Sequence, residues 1–225
     1  MILSLEKGAL VEYVRNQLDH FFPDGRSSAE IEAHIDQVLN RVEYCFRAIS
    51  GRYFRADAHE TRFNHLNTDQ YAMFLYLLSN TLFRDGTDPR LCEKVFYLNK
   101  LLNGVDVFYE VELPSIFCFC HPIGTVLGRA QYSDYFLVYQ GCTIGAAREL
   151  GSERNEYPIL GKYVALYQGA SVLGRCMIGD NCKIAANSLV LDQDVSDNQI
   201  YIGAPTQHIL KENRAHDHIW DRRAG

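Results

Sequence analysis

From Leu160 onward the chain places an aliphatic residue at every sixth position: Leu160, Leu166, Val172, Ile178, Ile184 and Val190, with Ile202 two steps beyond. Two positions ahead of each member of the unbroken run stand Pro158, Val164, Ala170, Cys176, Cys182 and Ser188, mostly small side chains suited to a tight inward corner. A period of six predicts a stacked β-helix, because one rung cannot bury its own apolar residue and coils must pile on each other. The beat runs back through Ile144, Val138 and, less regularly, Val126. Ile144 and Leu160 are sixteen positions apart, which six does not divide, so the polar segment Ala147 to Glu156 is predicted to leave the scaffold as an excursion. Excursions from regular scaffolds are where sites are built.

The first hundred residues follow helical spacing instead. Leu10, Val14 and Leu18 mark a helix from Leu5 to Phe22, closed by Pro23, Asp24 and Gly25. Ser27 followed by Glu30 forms a capping box for a second helix through about Ile49. A third, Thr68 to Phe83, carries Tyr71, Phe74, Leu75, Leu78 and Leu82. Asp88 then caps a fourth with Pro89 in its first turn and Gly104 to stop it. Val105 to Leu113 reads as a lead-in strand. The expected organisation is α+β: an all-helical part over 1–104, a β-helix over 105–209, and a polar tail over 210–225 with Trp220 as its large anchor and His216 and His218 solvated.

Composition narrows the function classes. With 225 residues, 47% of them hydrophobic, the chain can bury a sizeable core as one or two domains. A net charge of −6 argues against nucleic acid or an anionic membrane as partner, since both require a basic patch. No run reaches membrane-spanning length and the acidic residues of MILSLEKGALVEYV do not suit a signal peptide, so a cytoplasmic protein is expected. Seven cysteines fit free thiols, with Cys142, Cys176 and Cys182 on the small inward beat. Cys118, Cys120 and His121 form CFCH, but structural zinc pairs need a wider loop and a second ligand pair, so no metal is expected.

The motifs HPIGTVLG at His121 to Gly128, CTIGA at Cys142 to Ala146, YPIL after the excursion, GASVLG at Gly169 to Gly174 and IGAP at Ile202 to Pro205 resemble the serine O-acetyltransferases among the left-handed hexapeptide acyltransferases. The resemblance implies a left-handed parallel β-helix, acetyl-CoA as co-substrate, and a homotrimer or dimer of trimers with sites in the clefts between neighbours. His121 occupies the position of the family's catalytic base, a role imidazole suits near neutral pH. Backbone amides beside Gly145 and Ala146 are candidate oxyanion donors. Gly145, Ala146, Gln168, Gly169, Ala185, Ala186 and Ala204 fall where the family lays coenzyme A. Glu112 is the nearest match to the acid that orients the histidine, with Glu110 as substitute, and Asp88 matches an Asp-Pro that lends a carboxylate to the acceptor.

Three departures bear on the acceptor. Cys120 stands where the family has an aspartate that helps hold the amino acid, and a thiol does not hold an ammonium as a carboxylate does. Tyr157 stands where a second active-site histidine precedes the proline. Glu112 and His121 are closer in sequence by six than the family's acid and base. The expected activity is acetyl transfer to a hydroxyl of a small acceptor; a sugar hydroxyl or amine of surface-polysaccharide assembly and a non-catalytic β-helix scaffold are the alternatives.

Overall fold

The computed structural model describes residues 1–25, 28–57, 60–147 and 156–221. A short strand β1 (Ile2–Leu3) pairs in parallel with β2 (Arg62–Phe63) beside four helices: α1 (Lys7–Phe21), α2 (Glu30–Arg47), α3 (Thr68–Arg84) and α4 (Pro89–Asn103). Leu10, Val14 and Leu18 of α1, and Ile31, Ile35, Val38, Val42 and Phe46 of α2, make the one-sided apolar stripes that sequence spacing predicts. Every residue of α3 from Gln70 to Leu82 is buried, so this helix is the axis on which the others pack. Its first turn is held by Asn67, whose side chain accepts from the Gln70 amide at 3.1 Å. Asp88 caps α4 by accepting from the Arg90 amide at 3.0 Å, and Gly104 closes it at φ 64°. Ser27, expected to cap α2, lies outside the described residues.

The remaining strands wind into a three-sided prism. Its first face stacks β3 (Phe117–Cys120), β5 (Phe136–Tyr139), β8 (Ala165–Leu166), β11 (Lys183–Ile184) and β13 (Gln199–Ala204) in parallel. The second face stacks β4 (Val126–Leu127), β6 (Thr143–Gly145), β9 (Ser171–Leu173) and β12 (Leu189–Leu191), and the third pairs β7 (Ile159–Leu160) with β10 (Met177–Ile178). Val172 faces Val190, eighteen positions on, or three hexads per coil. Ile144 faces Val172 after twenty-eight, so ten residues leave the coil between them, and the antiparallel bridge of Ala147 with Glu156 closes the base of that excursion. Leu160, Leu166, Val172, Ile178, Ile184 and Val190 are each at most 2% exposed. Burying each such side chain contributes about 1.5–3 kcal/mol. Cys142, Cys176 and Cys182 also turn inward and donate to the carbonyls of Tyr167, Leu173 and Ser196 at 3.0–3.1 Å.

Four expectations change. Ile202 is only half-buried; Tyr201 takes the inward place, facing Ile184 after seventeen positions, and a coil one residue short turns every following side chain to the other face. For the same reason Leu127, 1% exposed and opposite Ile144, replaces Val126, which is 40% exposed. The segment from Val105 to Leu113 forms no strand, although Val105, Val107, Tyr109, Val111 and Leu113 are buried in alternation; its pairing reduces to one bridge from Asp106 to Val126. The tail begins as a strand, β14 (Gln207–Glu212), paired antiparallel with β13, so regular structure runs past Ile209. Beyond it, Trp220 is buried edge-on against Tyr135 and bridges Ile49, while His216 stacks on Tyr163 at 4.0 Å.

The change of grammar near residue 104 separates two kinds of secondary structure that share one continuous core. The Cys45 thiol of α2 donates to the Phe117 carbonyl at 3.1 Å. The Tyr76 hydroxyl of α3 donates to the Val111 carbonyl and accepts from the Leu113 amide, both at 2.8 Å.

Candidate active site

His121 occupies the corner between the first and second faces of the prism. Cys120 lies opposite Tyr139 and Val126 opposite Thr143, so this corner holds two more residues than the one above it. His121 has a left-handed backbone at φ 52°, as Gly141 and Asn187 do at the ordinary corners, and its side chain is 75% exposed. The corner is seated between the start of α3 and the end of α4: the Gly124 amide donates to the Gly104 carbonyl at 2.8 Å. A cleft of about 100 Å³ remains there, lined by Thr68, Asp69, Leu102, Asn103, His121 and Ile123 among others.

Asp69, in the first turn of α3, is the carboxylate that meets this histidine. Its Oδ1 accepts from the His121 backbone amide at 3.1 Å, and its Oδ2 lies 3.7 Å from His121 Nδ1. Burial pushes the Asp69 carboxyl above its ordinary range, against the opposing effect of His121. Glu112 does not meet the histidine: its Oε1 accepts from Asn80 Nδ2 at 3.4 Å, about three helical turns along α3 from Asp69. Glu110 instead pairs with Arg129 at 3.4 Å. The physical reason is the irregular segment before β3, which has no strand to carry either glutamate to the corner. Nothing in the sequence around Asp69 announces this role; an acid in a helix's first turn reads as a complement to the helix dipole.

Cys120 is half-buried beside the histidine, its thiol pushed up by burial and in hydrogen-bond contact with the Tyr139 hydroxyl. Tyr139 stacks on Tyr167 at 5.2 Å, and Tyr167 donates to Asp217 at 2.6 Å. Asp69, Cys120 and His121 bring one donor atom each within 4.8 Å. Cys118 does not join them; it is buried in the core, and its thiol is raised well above the ordinary range by desolvation.

The other candidate residues divide between two edges of the prism. Gln168, Gly169, Ala185 and Ala186 occupy the corners above His121, between β8 and β9 and between β11 and β12, and Ala204 ends β13 on the same edge. At about 4.8 Å per rung, Gln168 lies roughly 10 Å and Ala186 roughly 14 Å along that edge from His121. Gly145, Ala146 and Tyr157 stand at the far end of the second face, across the length of β6, roughly 10 Å away. The two glycines differ in kind. Gly169 has φ 70°, and a Cβ there would strike Asn187 Oδ1, so its own corner explains it. A Cβ on Gly145 would meet nothing within 4 Å among the described residues, so no packing among them calls for glycine there. Asp88 is remote from the cleft, because it begins the fifteen-residue α4 whose other end lines it, roughly 22 Å away at 1.5 Å per residue.

No protein-family model matches the chain. It is similar to serine acetyltransferases from Synechococcus elongatus (36% identity over 124 residues, 55% of this chain and 48% of the relative) and Staphylococcus aureus (31% over 145 residues, 64% and 65%). The one from Mycobacterium tuberculosis is 29% identical over 140 residues, 62% and 59%. The chain thus spans about half to two thirds of the length of these curated relatives. Among solved structures, the serine acetyltransferase of Neisseria gonorrhoeae aligns with a TM-score of 0.68 at 22% identity, covering 94% of this chain and 82% of that one. A serine acetyltransferase in complex with CoA aligns at 0.65 and 19% identity, covering 91% and 84%. By sequence and fold the chain is serine O-acetyltransferase-like, its strands wound as the left-handed parallel β-helix of the hexapeptide-repeat acyltransferases.

Proposed function

We propose that this protein transfers an acetyl group from acetyl-CoA to a hydroxyl of a small acceptor, with His121 as general base and Asp69 holding it. The observation that carries the reading is the pairing of an exposed imidazole with a helix-borne carboxylate in an enlarged β-helix corner. Above that corner, along the same edge, Gln168, Gly169, Ala185 and Ala186 are exposed or half-buried. The imidazole takes the acceptor's hydroxyl proton as oxygen attacks the thioester carbonyl; the carbon–sulfur bond then breaks and the proton passes to the departing thiolate. Asp69 stabilises the imidazolium formed on the way. Because Gly145, Ala146 and Tyr157 lie on a different edge from His121, they reach it only from a neighbouring copy, which supports a closed cyclic homotrimer with its sites between chains.

Serine remains an acceptor on this reading only if Asp69 replaces the carboxylate missing at Cys120, since Asp69 Oδ2 is the acidic atom beside the histidine. A sugar hydroxyl is the second reading, favoured by the neutral Cys120 and Tyr139 that flank the base. No helix among the described residues is long and apolar enough to cross a membrane, and a cytoplasmic location is proposed with the activity. The test is thiol release from acetyl-CoA over a panel of amino acids and nucleotide sugars. His121→Ala should lower kcat by about a hundredfold or more while acetyl-CoA still raises the melting temperature. Unchanged turnover in that variant removes His121 from the mechanism, and no thermal shift with acetyl-CoA removes the reaction.

A further inference from the structure

A cleft of about 460 Å³ opens between α2 and α3, lined by Gln37, Asn40, Arg41, Tyr44, Leu77 and Ser115 and by none of the residues that line the His121 cleft. This volume falls in the range of small-molecule sites. Gln37, Asn40, Arg41 and Tyr44 follow the i, i+3, i+4, i+7 spacing that puts them on one helix face. An ordinary solvated face mixes charges of both signs, whereas here the single charge is a guanidinium among neutral groups.

That guanidinium is locked by neutral acceptors. Arg41 Nη1 donates to Thr81 Oγ1 at 2.6 Å and to the Leu77 carbonyl at 3.4 Å, and Nη2 donates to Asn80 Oδ1 at 2.8 Å. Among the described residues no carboxylate lies within 4 Å of it. Burial, the largest influence on the group, and Arg84 disfavour its charged form, and Tyr76, Glu112 and Asp85 oppose them. Three bonds hold the fork in place and leave two of its five N–H donors for another partner. A half-buried, pre-oriented guanidinium without a counter-ion is complementary to a planar or tetrahedral oxyanion, which it grips through two parallel bonds. The Asn40 amide and the Ser115 hydroxyl offer neutral donors around it, while the Gln37 amide donates to Asp85 Oδ1 at 3.5 Å. Tyr44, 58% exposed, and Leu77 offer an apolar wall.

We propose that this cleft binds a small organic oxyanion, a carboxylate or phosphate carried on a flat apolar body, at a site separate from acetyl transfer. Its walls reach the active corner by two routes. Leu77, Asn80 and Thr81 share α3 with Asp69, and Ser115 lies just ahead of β3, which ends beside His121. An occupant bridging α3 and the Ser115 segment therefore acts on both supports of the catalytic histidine.

The test uses the full chain at fixed ionic strength, with benzoate, adenosine monophosphate and inorganic phosphate as probes, read by calorimetry and thermal shift against chloride. Saturable binding by one organic probe is expected; benzoate against adenosine monophosphate distinguishes carboxylate from phosphate, and inorganic phosphate measures the share of the apolar body. Arg41→Gln and Arg41→Lys should each weaken binding at least tenfold, the lysine because it lacks the fork. The exposed Tyr44→Ala should weaken it several-fold with an unchanged melting temperature, and decides the matter should the Arg41 variants fail to fold. Absence of saturable binding overturns the proposal, as does affinity unchanged in Tyr44→Ala and Arg41→Gln. Displacement of the probe by coenzyme A overturns it too, by placing the probe at the transfer site. Binding here stands or falls independently of the acetyl-transfer reading.

Discussion

Replacing Asp69 by asparagine removes a charge while keeping an oxygen for the His121 backbone amide, so it isolates the electrostatic part of the proposed pairing. The carboxylate oxygen lies 3.7 Å from Nδ1. Two unit charges at that distance attract by about 1 kcal/mol in water and by about 4 kcal/mol at an effective dielectric of 20. The imidazole is 75% exposed, so the low end applies, about 1–2 kcal/mol. Since the imidazolium exists only once the acceptor proton has moved, the loss falls on kcat, roughly five- to thirtyfold. Asp69→Ala also removes the acceptor for the corner amide and should cost a further ~1 kcal/mol or more. Stability should move differently. Burial raises the Asp69 carboxyl, so the folded state binds that proton more tightly than the unfolded chain. Stability then declines as pH rises from the ordinary carboxylate range through the raised folded value, and the deficit persists at neutral pH. The asparagine variant lacks this decline and should melt no lower than the parent at pH 7. Thiol-release kinetics with saturating acceptor, and melting curves from pH 3 to 8, measure both. A kcat within twofold of the parent, alongside an inactive His121→Ala, would show that the contact is structural only.

Other consequences concern the edges and the thiols. Gly145→Val should leave the melting temperature within about 1 °C, because the site of its Cβ is open among the described residues, yet weaken coenzyme A binding at least tenfold by calorimetry; unaltered binding would clear that edge of a role. Gly179→Ala should destabilise by about 1–3 kcal/mol, since the new Cβ would sit 2.6 Å from the Asp197 backbone nitrogen and the coil must shift. At about 2–4 °C per kcal/mol, a melting temperature within 1 °C of the parent refutes that packing. Cys120 alone among the seven free cysteines is not fully buried, whereas burial holds Cys45 at about 12. Iodoacetamide at pH 8 should label Cys120 first, with acetyl-CoA slowing it, and peptide mass spectrometry reads the order.

The sequence made the β-helix legible because a six-residue period is a local property, written afresh in each rung from Leu160 to Val190. Where a coil is one residue short, as before Tyr201 and around Leu127, the period alone picks the wrong neighbour, since only pairing with the adjacent coil reveals the slip. The helix ends at Asp88 and Gly104 were legible for the same local reason, each being a side-chain or backbone preference confined to one turn. Asp69 was not. It lies 52 residues from His121, and what brings them together is the packing of α3 and α4 against an enlarged corner. Val105 to Leu113 reads as a strand by sequence and forms none, although its side chains are buried in alternation. Its polar groups find Tyr76 and a single bridge instead of a continuous ladder.

These two misreadings have one physical root. The approach to β3 runs along α3, with Tyr76 bonded to Val111 and Leu113 and Asn80 bonded to Tyr109 and Glu112. A segment tied to a helix in this way cannot also stack beneath β3, so the corner under His121 is left without a strand below it. The ends of α3 and α4 fill that space, and with α3 comes Asp69. In the proposed mechanism the helices are therefore part of the catalytic apparatus. The base is fixed by a carboxylate whose position depends on the Asn67 cap, on the Gly104–Gly124 contact, and on the shared core that buries α3 from Gln70 to Leu82.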